Sequence, residues 1–547
     1  MKRIDTLFLM LGIAAAPLFA QQENNSLPAR SLTIEGRYNA DVTDARKIMP
    51  VPMKPETYVS SNPVEYALEG HPYMEYHRSP LNAPDSPSAG GDGYAGLIRF
   101  GYGMCGNIDA LVNAGVSVGD AGLLKINGTL TGWNTKINDW NSKLYKGAFN
   151  LNYIHSLDEN SVVDVNGCIG YEYANFRPNG DSGRDNGRNI MTAGVDAGYR
   201  SVFSSGIYFN ARAGWYINTD DNITMKPFTA KENLFRLDGM MGYELSDAVS
   251  VRLNLRMKSA FYDWRNRYGF SSAYSNYTSV SLRPEFVWKT TDFTALAGMD
   301  ATLRTTFSPV VRIAPYVRLL YKVSPKVALF ADVTGGTEEY DMRRLYEISP
   351  YWSEGTQTVD GYVRLDASLG GVWNALPELE LSLRGGYRSM ADHLFQKMQN
   401  VDVYSSRLVQ SDATSAFAEF SGSYVGSDRF RTGLTVRYSR WNADNQDMMI
   451  LQMLPELEAG LSMNARISER LWVNAEYRFA LMTEVSNEAG CMRLPAVNDL
   501  NVGVNCHVQD NLDISLRCTN LFGSDYYRFA GYRNQGTALT ASLLFRF

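Results

Sequence analysis

Residue types that carry chemistry are sparse in this chain of 547 residues, and their spacing excludes most kinds of site. Five histidines (His71, His77, His155, His393 and His507) show no HExxH pattern or other pairing that would bring two imidazoles to one metal. Five cysteines (Cys105, Cys168, Cys491, Cys506 and Cys518) include no CxxC pair, which argues against a zinc site and a disulfide scaffold alike. The stretch DSGRDNG at 181–187 is rich in oxygen ligands but lacks the EF-hand spacing and its closing Glu. GGDGYAG at 90–96 opens a strand rather than a helix, so a phosphate cradle is not expected there. No GxSxG elbow and no Ser/His pair stands out. The chain reads as a non-enzyme, with no catalytic residue, metal ligand or cofactor expected.

Charge is the chemistry that remains, and it falls at alternate positions. In VRLNLRMK, Arg252, Arg256 and Lys258 lie opposite Val251, Leu253, Leu255 and Met257. On a later segment Arg312, Arg318 and Lys322 share one face. Facing a wet lumen, these six cations would attract anions. Asp366, Glu380, Glu476 and Asp513 take the same inward parity, so cross-strand pairing would neutralise much of that field. The net charge of −6 gives no basic surface for nucleic acid.

The elements that must hold these charges have a period of two. Along GIYFNARAGWYIN, Ile207, Phe209, Ala211, Ala213, Trp215 and Ile217 fall on one face, and Tyr208, Asn210, Arg212 and Tyr216 on the other. RLWVNAEYRF repeats the pattern. One apolar and one polar face is the mark of a strand between hydrophobic material and water. Tight turns at 119–121, 157–161, 203–206, 245–248, 290–292, 323–326, 375–378, 426–428, 467–470 and 509–511 alternate with mostly longer polar connections. That rhythm gives about 22 strands, the topology of an outer-membrane barrel with short periplasmic turns and long external loops. A β-propeller would need shorter strands and an apolar core. Closure leaves no unpaired edge, so the backbone is satisfied in lipid without a long apolar run. By parity Cys506 and Cys518 face lipid, while Cys168 faces inward beside Asp164, Asn166 and Glu172.

The start differs in character. MKRIDTLFLMLGIAAAPLFA reads as a secretory signal over 1–20: a basic start, an apolar run, then small residues. Residues 21–92 form a Pro-rich leader, and 93–547 the barrel. The expected location is the outer membrane of a Gram-negative-type envelope.

At the other end, DISLRCTNLFGSDYYRFAGYRNQGTALTASLLFRF resembles the close of TonB-dependent receptors. In that family the penultimate strand runs into an N-L-F turn, then YY, a Gly-containing loop and a last strand with an aromatic end. Here these are Asn520, Leu521, Phe522, Tyr526, Tyr527, Gly531 and Phe547. The resemblance implies a 22-stranded barrel, and Phe545 and Phe547 as the signal read by the barrel insertion machinery. It also implies a folded plug that binds substrate and contacts TonB. Residues 21–92 are too short and too Pro-rich for such a plug, so the chain is similar to plug-lacking, receptor-like barrels and its TonB coupling is in doubt. A short strand at SLTIEGRYN would be the one mimic of a TonB box. The implied function is the barrel subunit of a transport or envelope complex, its lumen filled by leader, loops or a partner such as a periplasmic or surface lipoprotein. The alternatives are a passive diffusion channel, or an adhesin or scaffold that uses loops 337–360 and 390–413.

Overall fold

The computed structural model describes residues 95–547 apart from 138–139, 177–186, 204–205, 223–227, 266–274, 306–309, 353–358, 399–405, 428, 446–447 and 488–489. The signal, the leader and the question of a plug lie outside the described residues.

Alternating sequence makes strands, and here they close on themselves. In chain order they are β1 (Gly96–Gly103), β2 (Ile108–Val118), β3 (Gly122–Ile137), β4 (Trp140–Ser156), β5 (Ser161–Asn175), β6 (Gly187–Val202) and β7 (Ile207–Asn222). Then come β8 (Phe228–Ser246), β9 (Val249–Arg265), β10 (Tyr277–Lys289), β11 (Phe293–Thr305), β12 (Val310–Ser324), β13 (Val327–Glu338) and β14 (Gly361–Leu376). β15 (Leu379–Met398), β16 (Ser406–Ser427), β17 (Phe430–Ala443), β18 (Pro455–Ser468) and β19 (Leu471–Met482) follow. A small hairpin of β20 (Val485–Asn487) and β21 (Gly490–Met492) precedes β22 (Val497–Gln509) and β23 (Leu512–Thr519). A second hairpin, β24 (Tyr527–Phe529) and β25 (Tyr532–Arg533), precedes the last strand, β26 (Ala538–Arg546). Apart from the four hairpin strands, all belong to one 22-stranded antiparallel sheet.

Closure is made by β1 against β26, in register from Leu97↔Arg546 to Gly103↔Thr540. The Ala95 N–H donates to Phe547 O at 2.7 Å and the Phe547 N–H to Gly96 O at 3.0 Å, so hydrogen bonding runs to the last residue of the seam. Gly103 is required there: a Cβ at this position would lie 2.1 Å from the Leu539 carbonyl oxygen. The seam is also clasped electrostatically. Asp109 on β2 accepts from Arg99 of β1 at 3.0 Å and pairs at 3.5 Å with Arg517 of β23, reaching across both closing strands.

All ten short turns read from the sequence fall between strands at the end where β1 starts and β26 finishes. The alternation also holds. On β26 and the residue after it, Leu539, Ala541, Leu543, Phe545 and Phe547 are exposed, while Thr540, Ser542, Leu544 and Arg546 are buried. On β7, Trp215 is 55% exposed and Tyr208 2%. The wall is therefore apolar outside and polar inside, as a barrel in lipid must be. Cys506 is exposed on the outward face, and Cys168 is half-buried on the lumen face.

Candidate functional site: a segment folded across the barrel mouth

The connection between β13 and β14 begins EYDMRRLYEISPYW and reads as a polar external loop, part of one of the proposed adhesive surfaces. The structure turns it inward. Helix α1 (Met342–Ile348) starts at Asp341, whose side chain accepts the Arg344 N–H at 2.8 Å and so caps it. Met342, Leu345, Tyr346 and Ile348, spaced to share a helix face, are all buried, as are Tyr340, Tyr351 and Trp352. These apolar residues are covered by the chain itself and are not displayed to an outside partner.

The seat is the inner wall. Ile190 of β6, Ala230 of β8, Leu394 of β15 and Leu408 of β16 join the helix in one apolar cluster. From β6 to β15 is nine steps round a ring of 22, close to diametrically opposite, so a segment touching both crosses the lumen. It also reaches down. Lys258, which pairs with Asp341, lies seven positions from the outer end of β9 at Arg265, about 23 Å along the strand.

Polar contacts from β6 to β9 fix the crossing segment. Arg188, fully buried on β6, donates to the carbonyl oxygens of Pro350 and Trp352, each at 2.9 Å. Its guanidinium lies 5.3 Å from the ring centres of Phe176 and Tyr346 and 5.5 Å from that of Trp352. Its Nε is 3.3 Å from Asp220, which also accepts from the Tyr346 hydroxyl. Glu232 of β8 accepts the Met342 N–H at 2.9 Å, one of the unpaired donors of the first helical turn. Lys258 stands 2.7 Å from Asp341 and 2.8 Å from Glu339, with Arg236 at 3.3 Å from Asp341. Burial alone would push the Asp341 carboxyl up. The Lys258 ammonium, its hydrogen bond and the Arg236 guanidinium outweigh that and hold it below the usual carboxylate range. At the return end, Asp360 pairs with Arg304, and Arg312 donates to the carbonyl oxygens of Asp360 and Gly361.

A second element at the mouth is the β24/β25 hairpin. Asn520 holds its entrance: its side chain donates to Ser524 O at 2.9 Å and accepts the Ser524 N–H at 2.9 Å, in a backbone conformation with φ +48°. Phe522 is left outside, edge-on to the outward-facing Tyr477 at 6.3 Å, while Tyr526 is buried and donates to Asp499 at 2.7 Å. Gly531, with φ +83°, makes the turn between the two short strands.

The six cations read from the sequence are dispersed rather than gathered into one patch. Lys258 pairs with the crossing segment, and Arg312 holds its return at Asp360 and Gly361. Arg256 is 3.5 Å from Asp238, Arg318 3.8 Å from Asp332, and Arg252 is buried opposite Glu285 of β10. Lys322 is exposed near the turn-side rim. The inward acids Asp366 and Asp513 are paired with Arg388 and Arg546. Reasoning from the sequence did not select Arg188, Asp220 or Glu232; the apolar spacing of Met342, Leu345, Tyr346 and Ile348 was the signal that could have led to them. Among the described residues no group of three His, Cys, Asp or Glu side chains could hold a metal.

No protein-family model matches the chain, and no curated protein matches it by sequence. Solved structures do match in fold. The FrpB iron transporter from Neisseria meningitidis aligns with TM-score 0.67 at 10% identity, over 83% of this chain and 82% of that one. A ferric enterobactin receptor mutant from Pseudomonas aeruginosa (PfeA), in complex with enterobactin, gives 0.64 at 10%, over 83% and 81%. The copper transporter OprC gives 0.62 at 13%, over 83% and 80%. At these identities the likeness is one of fold: the chain shares the 22-stranded barrel of these transporters and receptors.

Proposed function

We propose that the protein is a receptor-like outer-membrane barrel, the membrane subunit of a transport or envelope complex, whose outer mouth is closed by its own residues 339–352. The observation that carries this is the crossing itself: buried apolar side chains join the segment to nearly opposite walls, and Arg188 and Glu232 hold it by hydrogen bonds at one of them. A barrel of 22 strands without such a closure encloses a wide hole. The lumen below is lined with pairs such as Arg212 with Asp164 and Asp196, Arg388 with Asp366, and Arg437 with Glu419. Such a wall favours neither sign of solute strongly. The fold likeness to transporters supports transport over catalysis. Partners on this reading are the surrounding lipids, the insertion machinery acting on Phe545 and Phe547, and a lipoprotein, with TonB coupling through SLTIEGRYN left to test.

Planar-bilayer conductance tests closure. The intact chain should stay near baseline, and replacing 342–352 by a Gly/Ser linker should give large steps. Large permanent conductance from the intact chain would sink the reading in favour of a diffusion channel. A gentle-detergent pull-down tests the complex, and recovery of the barrel alone would count against it.

A further inference from the structure

Two closing elements enter the mouth from opposite parts of the chain, and they touch. The ring of Tyr351, beyond the end of α1, stacks on Tyr532 of β25 with centres 3.5 Å apart and planes within 9°. Phe529 of β24 meets the same Tyr351 ring edge-on at 5.5 Å. Tyr351 and Tyr532 are 2% and 5% exposed, so separating the elements would open both rings to water. Gln396, buried on β15, joins them a second time. Its side-chain amide donates to Ile348 O of the crossing segment at 2.6 Å, and its carbonyl accepts the Ala530 N–H of the hairpin at 3.2 Å.

Resting on the closed-mouth reading, we propose that residues 339–352 and the β24/β25 hairpin are the two leaves of one gate, which open together and not in turn. If either leaf left alone, one half of the Gln396 amide would lose its partner in a buried setting and the other leaf's aromatic ring would be uncovered. The ring's cost falls on the leaf that stays, and the amide's on a wall residue that both leaves cover. Each leaf is therefore more stable with the other in place, and that coupling is reciprocal. The hairpin is also tied to the wall: Gln535 donates to Asn107, just before β2, at 3.2 Å, and Tyr526 at its entrance donates to Asp499 of β22 at 2.7 Å. A signal at the barrel wall near β1 and β2 thus has a physical route to the crossing segment.

Amide hydrogen exchange on the full chain in lipid nanodiscs tests this. The reporters are the Ala530 and Asn534 N–H groups in the hairpin and the Leu345 and Ser349 N–H groups in the crossing segment. Tyr351→Ala should speed exchange at the hairpin reporters at least tenfold, and Tyr532→Ala should do the same at the helix reporters. Tyr351→Phe, which keeps the stack, should leave both near wild type. Gln396→Leu, which alters neither leaf, should speed both sets. The Phe547 N–H at the seam controls for loss of the barrel and should stay protected in every variant. Acceleration confined to the mutated leaf would overturn the coupling. Wild-type conductance separates the two ideas: a closed wild type with confined exchange refutes only the coupled gate, whereas an open wild type refutes the closed mouth.

Discussion

Arg188→Ala is the sharpest perturbation of the closed mouth. The guanidinium is fully buried, as is Asp220, and it satisfies two carbonyl oxygens of the crossing segment. Removing one member of a buried ion pair costs about 3–5 kcal/mol, because the other charge is left uncompensated. The barrel wall does not depend on this pair: β6 keeps its full register with β5 and β7 through backbone hydrogen bonds. The loss should therefore fall on the closed state of the segment, shifting its closed-to-open ratio by roughly 100- to 5,000-fold. In planar bilayers the variant should show frequent large openings at voltages where the wild type is silent. Arg188→Ala with Asp220→Ala should be less open than Arg188→Ala alone, since no orphan carboxylate remains. If the single variant is as silent as the wild type with its barrel intact, the segment is not held as argued.

Asp341→Asn keeps the helix cap but removes the charge facing Lys258 and Arg236, and should weaken closure by about 1.5–3 kcal/mol, read as more frequent openings. Because the Asp341 carboxyl is held below its usual range, its contribution is complete above about pH 4 and is lost as pH falls through the lower, closed-state value. Acid should therefore open the wild type more steeply than the Asn variant in conductance measured between about pH 5 and 2. Gly103→Val places a Cβ about 2.1 Å from the Leu539 oxygen across the seam and should sharply reduce the folded fraction recovered in vesicles, followed by circular dichroism. Phe547→Ala should slow insertion into native outer membranes while leaving the refolded barrel closed. Equal insertion rates for the two chains would remove the terminal aromatic residue as a recognition signal.

The barrel was legible in the sequence because its information is local. Side-chain parity in Ile207–Ile217 and in Leu539–Phe547 is set by the two-residue period of a strand, and the turns at 119–121 through 509–511 punctuate it. Lipid outside and water inside impose the same rule on every strand, so reading one strand is reading all. The NLF and YY residues were also visible, although only the fold shows why Asn520 turns Phe522 outward and Tyr526 inward. The mouth was not legible. Tyr340 to Trp352 looks like a polar loop with scattered apolar residues until strands β6, β8 and β9, distant in sequence, supply Arg188, Glu232 and Lys258 as partners. The inward cations met the same limit: parity says that Lys258 and Arg312 face inward, but not that a distant segment occupies the space they face. Strand, turn and parity follow from neighbours along the chain, so the sequence determines them alone. What fills the lumen depends on contacts between residues that only closure of the ring brings together, so the tertiary structure decided it.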